Sequence, residues 1–250
     1  MFIIFFFYFF LYYFLIFFLF EMDIFNFFFQ DSPKVTTFIT LSCLSISILT
    51  WFEIISPLYL YLNFELIFKK YQFWRLFTCF FYYGEISLSL IFHMILFFRN
   101  SKFLESSVFK GNSADYIYFL LFCITNILII SFFVGFIFPA SCLSFAMTYY
   151  WGRKSKNVVV QFMGIFNFRA PYLSWFYLLF SFLLDSEYKH DLVGMIVSHF
   201  FFFFRDIFPR IQLFNYYQIL KTPLFLKKFC DKFKLNNDYI IGNDEEGIIF

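Results

Sequence analysis

Apolar runs nearly free of charge, broken by short polar or basic stretches, set the pattern of this chain. Phe2 to Phe20 is uncharged and long enough to span a bilayer. It lacks a basic leader region and a small-residue cleavage site, so three readings stand: an extra anchor, a cleaved leader, or sequence upstream of a start at Met22. Met22 to Gln30 sets apolar residues around Asp23 and Asn26, as a short helix lying in the interface would, and Asp31-Ser32-Pro33 turns the chain. Spans are expected at Phe38 to Phe52, at Trp74 to Phe98 (with Gly84, Glu85 and His93 inside), at Pro171 to Leu184 and at Asp191 to Phe204. Tyr116 to Trp151 is apolar for 36 residues. At ~1.5 Å per residue that makes about 54 Å of helix, enough for two short spans hinged at Gly135 and Pro139. The connections are polar: Leu58 to Tyr71 carries Asn63, Glu65, Lys69 and Lys70, Arg99 to Asp115 is charged, Gly152 to Arg169 is basic, and Asp185 to His190 is a short turn.

Composition excludes a soluble domain. The chain is 62% hydrophobic and 14% charged, where soluble domains are about half apolar and about a quarter charged. The 51 phenylalanines read as a greasy filler in place of Leu and Ile, not as an aromatic site. Six spans put both ends on one side, and with a cytosolic N-terminus that side takes 15 of the 19 Lys and Arg. The bias fits the positive-inside rule. A retained Phe2–Phe20 anchor would add a seventh span. The uninterrupted parts of the last two spans make about 21 Å each against a hydrocarbon core of ~30 Å, the mark of a protein that deforms its membrane. The five cysteines are scattered with no CxxC spacing, so disulfide and metal sites are not expected. Neither a cofactor nor a nucleic-acid partner is expected.

Candidate residues begin with Trp74-Arg75. An arginine at hydrocarbon depth is costly, and tryptophan favours the headgroup level, so the pair reads as an interfacial anchor. Arg75 is expected to snorkel to headgroups or to pair with a carboxylate such as Glu53, fixing the first loop. His199 reads either as a neutral imidazole with a partner inside the bundle or as a polar residue lining a hydrated cavity. His93 and the Gly84–Glu85 pair read as satisfied structural groups.

From Met22 to Lys228 the sequence resembles the derlin family, the rhomboid-like proteins of endoplasmic-reticulum quality control. The residues that carry the resemblance are Ile55-Ser56-Pro57 through Asn63 and Glu65, then Trp74-Arg75-Leu76. Phe103-Leu104-Glu105 with Phe109-Lys110-Gly111 and Ala114-Asp115 follow. Next come Tyr150-Trp151 with Arg153, and Phe168-Arg169-Ala170-Pro171. Leu192-Val193-Gly194 through His199, Phe203 through Pro209, and Leu220-Lys221-Thr222-Pro223 complete it. The family's GxxxG here reads Gly194 to Ser198, still small-xxx-small, so close helix approach survives. The chain stops at Gly247-Ile248-Ile249-Phe250, before the C-terminal box with which some derlins recruit a hexameric AAA ATPase. An adaptor is expected to supply that docking.

The resemblance implies an all-α, six-transmembrane-helix rhomboid-like bundle with both termini cytosolic. Residues 22–209 form the membrane domain, 1–21 an apolar extension and 210–250 a cytosolic tail. It implies a non-catalytic role in moving misfolded proteins to the cytosol. The implied partners are those substrates, membrane lipids, a ubiquitin-ligase complex, the ATPase, and further derlin copies of the same or another kind. The basic amphipathic stretch Phe214 to Lys234 would lie along the cytosolic surface. The rhomboid proteases need a serine in GxSG and a histidine three residues before the first small-pair glycine. Here the corresponding stretch Pro139-Ala140-Ser141-Cys142-Leu143-Ser144 has no glycine, and the histidine position holds Asp191. His199 lies eight residues further along, about 12 Å deeper and about 80° round, where it cannot serve as base. An active intramembrane serine protease built on Ser141, and a small-solute channel or transporter, are the alternatives.

Overall fold

The computed structural model describes residues 32–162, 166–183, 188–211 and 220–235. The Phe2–Phe20 run, the Met22–Gln30 segment, residues 212–219 and the chain after residue 235 lie outside the described residues. The fold is helical: α1 Lys34–Trp51, α2 Phe64–Lys70, α3 Arg75–Thr78, α4 Leu88–Phe103, α5 Ser113–Val134, α6 Ala140–Lys154, α7 Ala170–Leu183, α8 Tyr188–Phe202 and α9 Leu224–Lys232. Three stretches, Lys34–Trp51, Ser113–Val134 and Tyr188–Arg210, are long and apolar enough to cross a membrane by length and composition.

The long helices sit where the expected spans lie, with three shifts. α1 starts at Lys34, because Pro33 supplies an extended residue just ahead of the first turn. α8 starts at Tyr188 and runs on through a π-helical turn, Phe203–Ile207, so the polar Tyr188-Lys189-His190 is helical. The largest shift is at the second span. Trp74 and Arg75 open the four-residue α3, and the long helix begins only at Leu88, capped by the Ser87 hydroxyl on the Leu90 N–H. Gly84 (φ +112°) and Glu85 therefore lie in the turn before α4, not inside a span. The hinge between α5 and α6 falls where expected. Gly135 takes φ +81° and gives its N–H to the Ser131 carbonyl, a left-handed stop that a side chain would strain.

α6 is the hub. Eleven of its 15 residues are buried, between α4, α5, α7 and α8. On its buried face Tyr150 packs ring on ring with Phe119 of α5 and Phe201 of α8 at centroid distances of 4.8 to 5.4 Å. Phenylalanine fills the lipid side too: Phe132, Phe133, Phe182 and Phe200 are exposed. All five cysteines are buried and unbridged. The basic stretch after α6 is not a plain loop. Val159–Phe162 and Phe166–Arg169 pair as an antiparallel hairpin, with Val159 opposite Arg169. The β-branched Val158-Val159-Val160 is the local reason.

The helices alternate in direction, so the bundle has two ends. One holds the first loop with the start of α6. The other, the tail end, gathers the starts of α1 and α5, the ends of α4, α6 and α8, and α9.

Candidate functional site

The first loop is a small folded lobe with a buried cation at its centre. Arg75 is 3% exposed. Its Nε donates to Gln72 Oε1 at 2.7 Å, and its Nη1 donates to the carbonyls of Leu58 at 2.9 Å and Tyr61 at 3.0 Å. The Tyr61 ring lies 4.7 Å below the guanidinium. The expected snorkelling and Glu53 pairing are therefore corrected: the charge turns inward and ties α3 to the Pro57–Tyr59 turn through neutral oxygens. Burial pulls the Arg75 pKa down, and the facing tyrosines Tyr61 and Tyr59 push it back up. A guanidinium stays charged regardless. Trp74 is half-buried at the start of α3.

Around this staple the loop is locally satisfied. Asn63 caps α2 by accepting from the Leu66 N–H at 3.1 Å, and Glu65 pairs along α2 with Lys69 at 3.5 Å, both fully in solvent. The lobe is pinned to the bundle where Leu62 N–H meets the Ile137 carbonyl at 2.9 Å. Its outer surface exposes Leu58, Tyr59, Phe68, Tyr71, Phe73 and Phe77.

Gly194 places the last span against the hub. A Cβ built on it would fall on the Cys142 carbonyl oxygen and lie 3.1 Å from the Ala146 nitrogen, so backbone meets backbone here. Ser198, one turn on, is fully buried, and its hydroxyl makes no hydrogen bond among the described residues.

The serines and histidines near this seam go elsewhere. Ser144 Oγ is 2.7 Å from Tyr83 OH. His199 Nδ1 is 2.7 Å from Tyr149 OH, and that hydroxyl accepts from Arg153 Nε at 3.0 Å. The Tyr149 hydroxyl thus links His199 to Arg153. Tyr149 lies eight residues beyond Ser141 on α6, which puts His199 about 12 Å along the helix axis from that serine. Sequence reasoning passed over His190, whose ring stacks on Phe136 with centroids 4.1 Å apart.

At the tail end Glu105 is fully buried. Its Oε2 accepts from the Thr36 N–H and the Thr36 hydroxyl, both at 2.8 Å, and its Oε1 accepts from Ser113 Oγ at 2.8 Å. Pro33 gives α1 no side-chain cap, so a carboxylate from the turn after α4 caps it instead. Burial raises the Glu105 pKa, and the hydrogen bonds from Ser113 and Thr36 oppose the rise. Asp115 pairs with Arg205 at 2.7 Å and also accepts from the Thr222 hydroxyl, while Lys154 pairs with Asp206 at 2.6 Å. These bonds join α5, α6, α8 and the tail. Thr36, Ser113, Gln72 and Tyr149 carry no sequence signal of their roles, since each partner is remote or was assigned otherwise.

The family model described as the Der1-like family matches residues 32–224. Over 214 residues the chain is 37% identical to the probable derlin-2 homolog of Dictyostelium discoideum, covering 83% of each. It is 38% identical over 215 residues to Derlin-2.2 of Arabidopsis thaliana, covering 80% of this chain and 87% of that one. It is 28% identical over 211 residues to Derlin-1.1 of Zea mays, covering 83% and 85%. The matched stretch runs from the turn before α1 to the first residue of α9, taking in the Arg75 lobe, the Glu105 cap and the Gly194 seam: the chain belongs to the Der1-like family and is a multi-pass membrane protein.

Proposed function

We propose that the chain is a non-catalytic factor of endoplasmic-reticulum-associated degradation, helping misfolded proteins leave the lumen or membrane for the cytosol. In this reading the membrane domain (22–209) has six spans in the endoplasmic-reticulum membrane, with both termini and the 210–250 tail cytosolic. The observation that carries it is where the polar side chains spend their bonds. Acyl transfer needs a base within reach of the serine, yet Ser144 and His199 each bond a tyrosine, and His199 sits about two turns from Ser141. The polar groups that are held rigidly serve a receiving surface instead: Arg75 fixes a lobe with Asn63, Glu65 and Trp74 and an apolar outer face. α1 adds seven buried Ser and Thr residues to the interior, which eases passage of a polar chain. The reading assigns Glu105 and Arg153 to the cytosolic ends of the spans, and Gly194, Ser198 and His199 to the seam beside the passage. Substrates are misfolded polypeptides. A ubiquitin-ligase complex, an AAA ATPase and further derlin copies are its proposed partners.

The test is Arg75→Ala in cells expressing a misfolded lumenal reporter. Expected is slower reporter turnover with unchanged membrane insertion; normal turnover would remove the lobe from the mechanism. A serine-directed activity probe that labels the wild type and not Ser141→Ala would overturn the non-catalytic assignment.

A further inference from the structure

α9 packs at the tail end of the bundle, beside the first residues of α1 and α5. Ser113, the first residue of α5, shares its one hydroxyl proton between Glu105 Oε1 and the Leu235 carbonyl, the latter at 2.9 Å, and Lys34, the first residue of α1, donates to the Lys234 carbonyl. Leu226 and Cys230 are buried against the bundle. The helix is thus tied to the first residues of two helices long and apolar enough to cross a membrane, which puts it level with their ends.

Its faces match that position. At about 100° per residue, Phe225, Phe229 and Phe233 form one strip beside the buried Leu226–Cys230 seam, and Lys228 and Lys232 form the strip next to it. The phenylalanines are 67%, 50% and 57% exposed, far more than a packed core face allows. Residues 221–234 carry five lysines against the single Asp231. An aromatic strip flanked by cations, held parallel to a bilayer surface, is the pattern of a helix that lies in the interface and favours anionic lipid.

We propose that α9 is an anionic-lipid-binding surface: Phe225, Phe229 and Phe233 enter the acyl boundary, and Lys228 and Lys232 hold the headgroup charge of phospholipids next to the bundle. The occupant is the bilayer itself, because the strip is exposed at the bilayer's own height and its charge complements an anionic leaflet. The inference does not depend on what the protein moves.

The test uses the full chain in nanodiscs, with Phe229→Cys carrying an environment-sensitive fluorophore; the native cysteines, all buried, serve as the labelling control. The discs hold phosphatidylcholine with phosphatidylserine raised stepwise. Expected is a blue shift that grows with phosphatidylserine, and quenching by nitroxide lipids. Each lysine near an anionic surface contributes about fivefold, so Lys228→Gln/Lys232→Gln should lower the inserted-to-lifted ratio about 25-fold. Lys228→Arg/Lys232→Arg should keep the response, and Cys230 should stay protected from an impermeant maleimide in both. Emission that ignores phosphatidylserine overturns the proposal, as does a response lost equally in the Gln and Arg variants. Emission that follows protein density and not lipid composition would give the face to a second copy of the chain and overturn it too.

Discussion

Glu105→Ala removes the side chain that caps α1 from another element, and its cost follows from which groups are stranded. The Thr36 hydroxyl keeps Ser101 Oγ at 2.9 Å, and the Ser113 hydroxyl keeps the Leu235 carbonyl at 2.9 Å. The Thr36 N–H has only the carboxylate. Orphaning a buried donor costs about 1–3 kcal/mol. One buried methylene adds about 0.8 kcal/mol. Relief from burying a charge offsets part, leaving about 2 kcal/mol. At about 2–4 °C per kcal/mol for a domain of this size, Tm should fall by about 6 °C. Glu105→Gln behaves differently. Its carbonyl accepts both Thr36 bonds and its amide donates to Ser113, so the loss should be about 1 kcal/mol or less.

The two variants also separate on pH. The folded-state pKa of Glu105 is raised by burial. Protons therefore bind the folded form more tightly than the unfolded one. The carboxyl's contribution is fully present below the ordinary glutamate range and is lost as pH rises through the folded value. Glutamine does not titrate. The wild type should be at its best relative to Gln at the acid end and should lose ground as pH rises, while other groups cancel in the difference. A thiol-reactive dye melt reports unfolding directly, since all five cysteines are buried. Equal melting of the Ala and Gln variants would refute the capping argument, and a wild-type advantage that grows with pH would refute the dominance of burial over the cap's hydrogen bonds.

Other outcomes follow from the same bonds. Gly194→Val drives a side chain into the Cys142 carbonyl and should cost at least 3 kcal/mol in the dye melt, whereas Ser198→Ala should stay within about 1 kcal/mol. Asp115→Asn weakens two bonds at once, to Arg205 and to Thr222, so the tail should loosen before the bundle does. Maleimide should then reach Cys230 several-fold faster while Cys123 stays protected; equal rates at both would deny that Asp115 anchors the tail.

The long helices were legible because uncharged runs have few alternatives in a bilayer, and Gly135 and Pro139 divide the 36-residue run where α5 ends and α6 begins. Charge placement was less legible. For Arg75 the sequence points to headgroups or to a carboxylate such as Glu53, the general remedies for an arginine near lipid. Its actual partners, Gln72 and two carbonyls, are produced only when residues 58–75 fold back on themselves. Backbone carbonyls have no sequence signature, so an inward-turned cation reads like an outward one. The second span differs from its sequence pattern for the same reason: apolar residues 76–83 fill a lobe ahead of the long helix at Leu88. The Gly194 contact was legible as a small-residue spacing. The Glu105 cap was not, for its partner Thr36 lies 69 residues away.

Which helices meet lipid decides what their lengths mean. α6, with 15 residues, makes about 22 Å of helix and falls short of a ~30 Å core, but its neighbours surround it and its length sets nothing for the bilayer. α5 has 22 residues, about 33 Å, and presents Ile129, Phe132 and Phe133 outward, so it matches an ordinary bilayer. α7 also faces outward, through Tyr172, Trp175, Leu179 and Phe182, and its 14 described residues make only about 21 Å. Thinning by mismatch, if this chain uses it, belongs on the α7 side and not around the whole bundle. Nitroxide lipids labelled at different depths should therefore quench a probe at Phe182, at the end of α7, from positions as shallow as those that quench a probe at Phe133, at the end of α5, although α7 is about 12 Å shorter. Quenching of Phe182 only from deeper positions would mean that the bilayer is as thick beside α7 as beside α5, and would leave the polar interior, without thinning, to carry the passage of a chain.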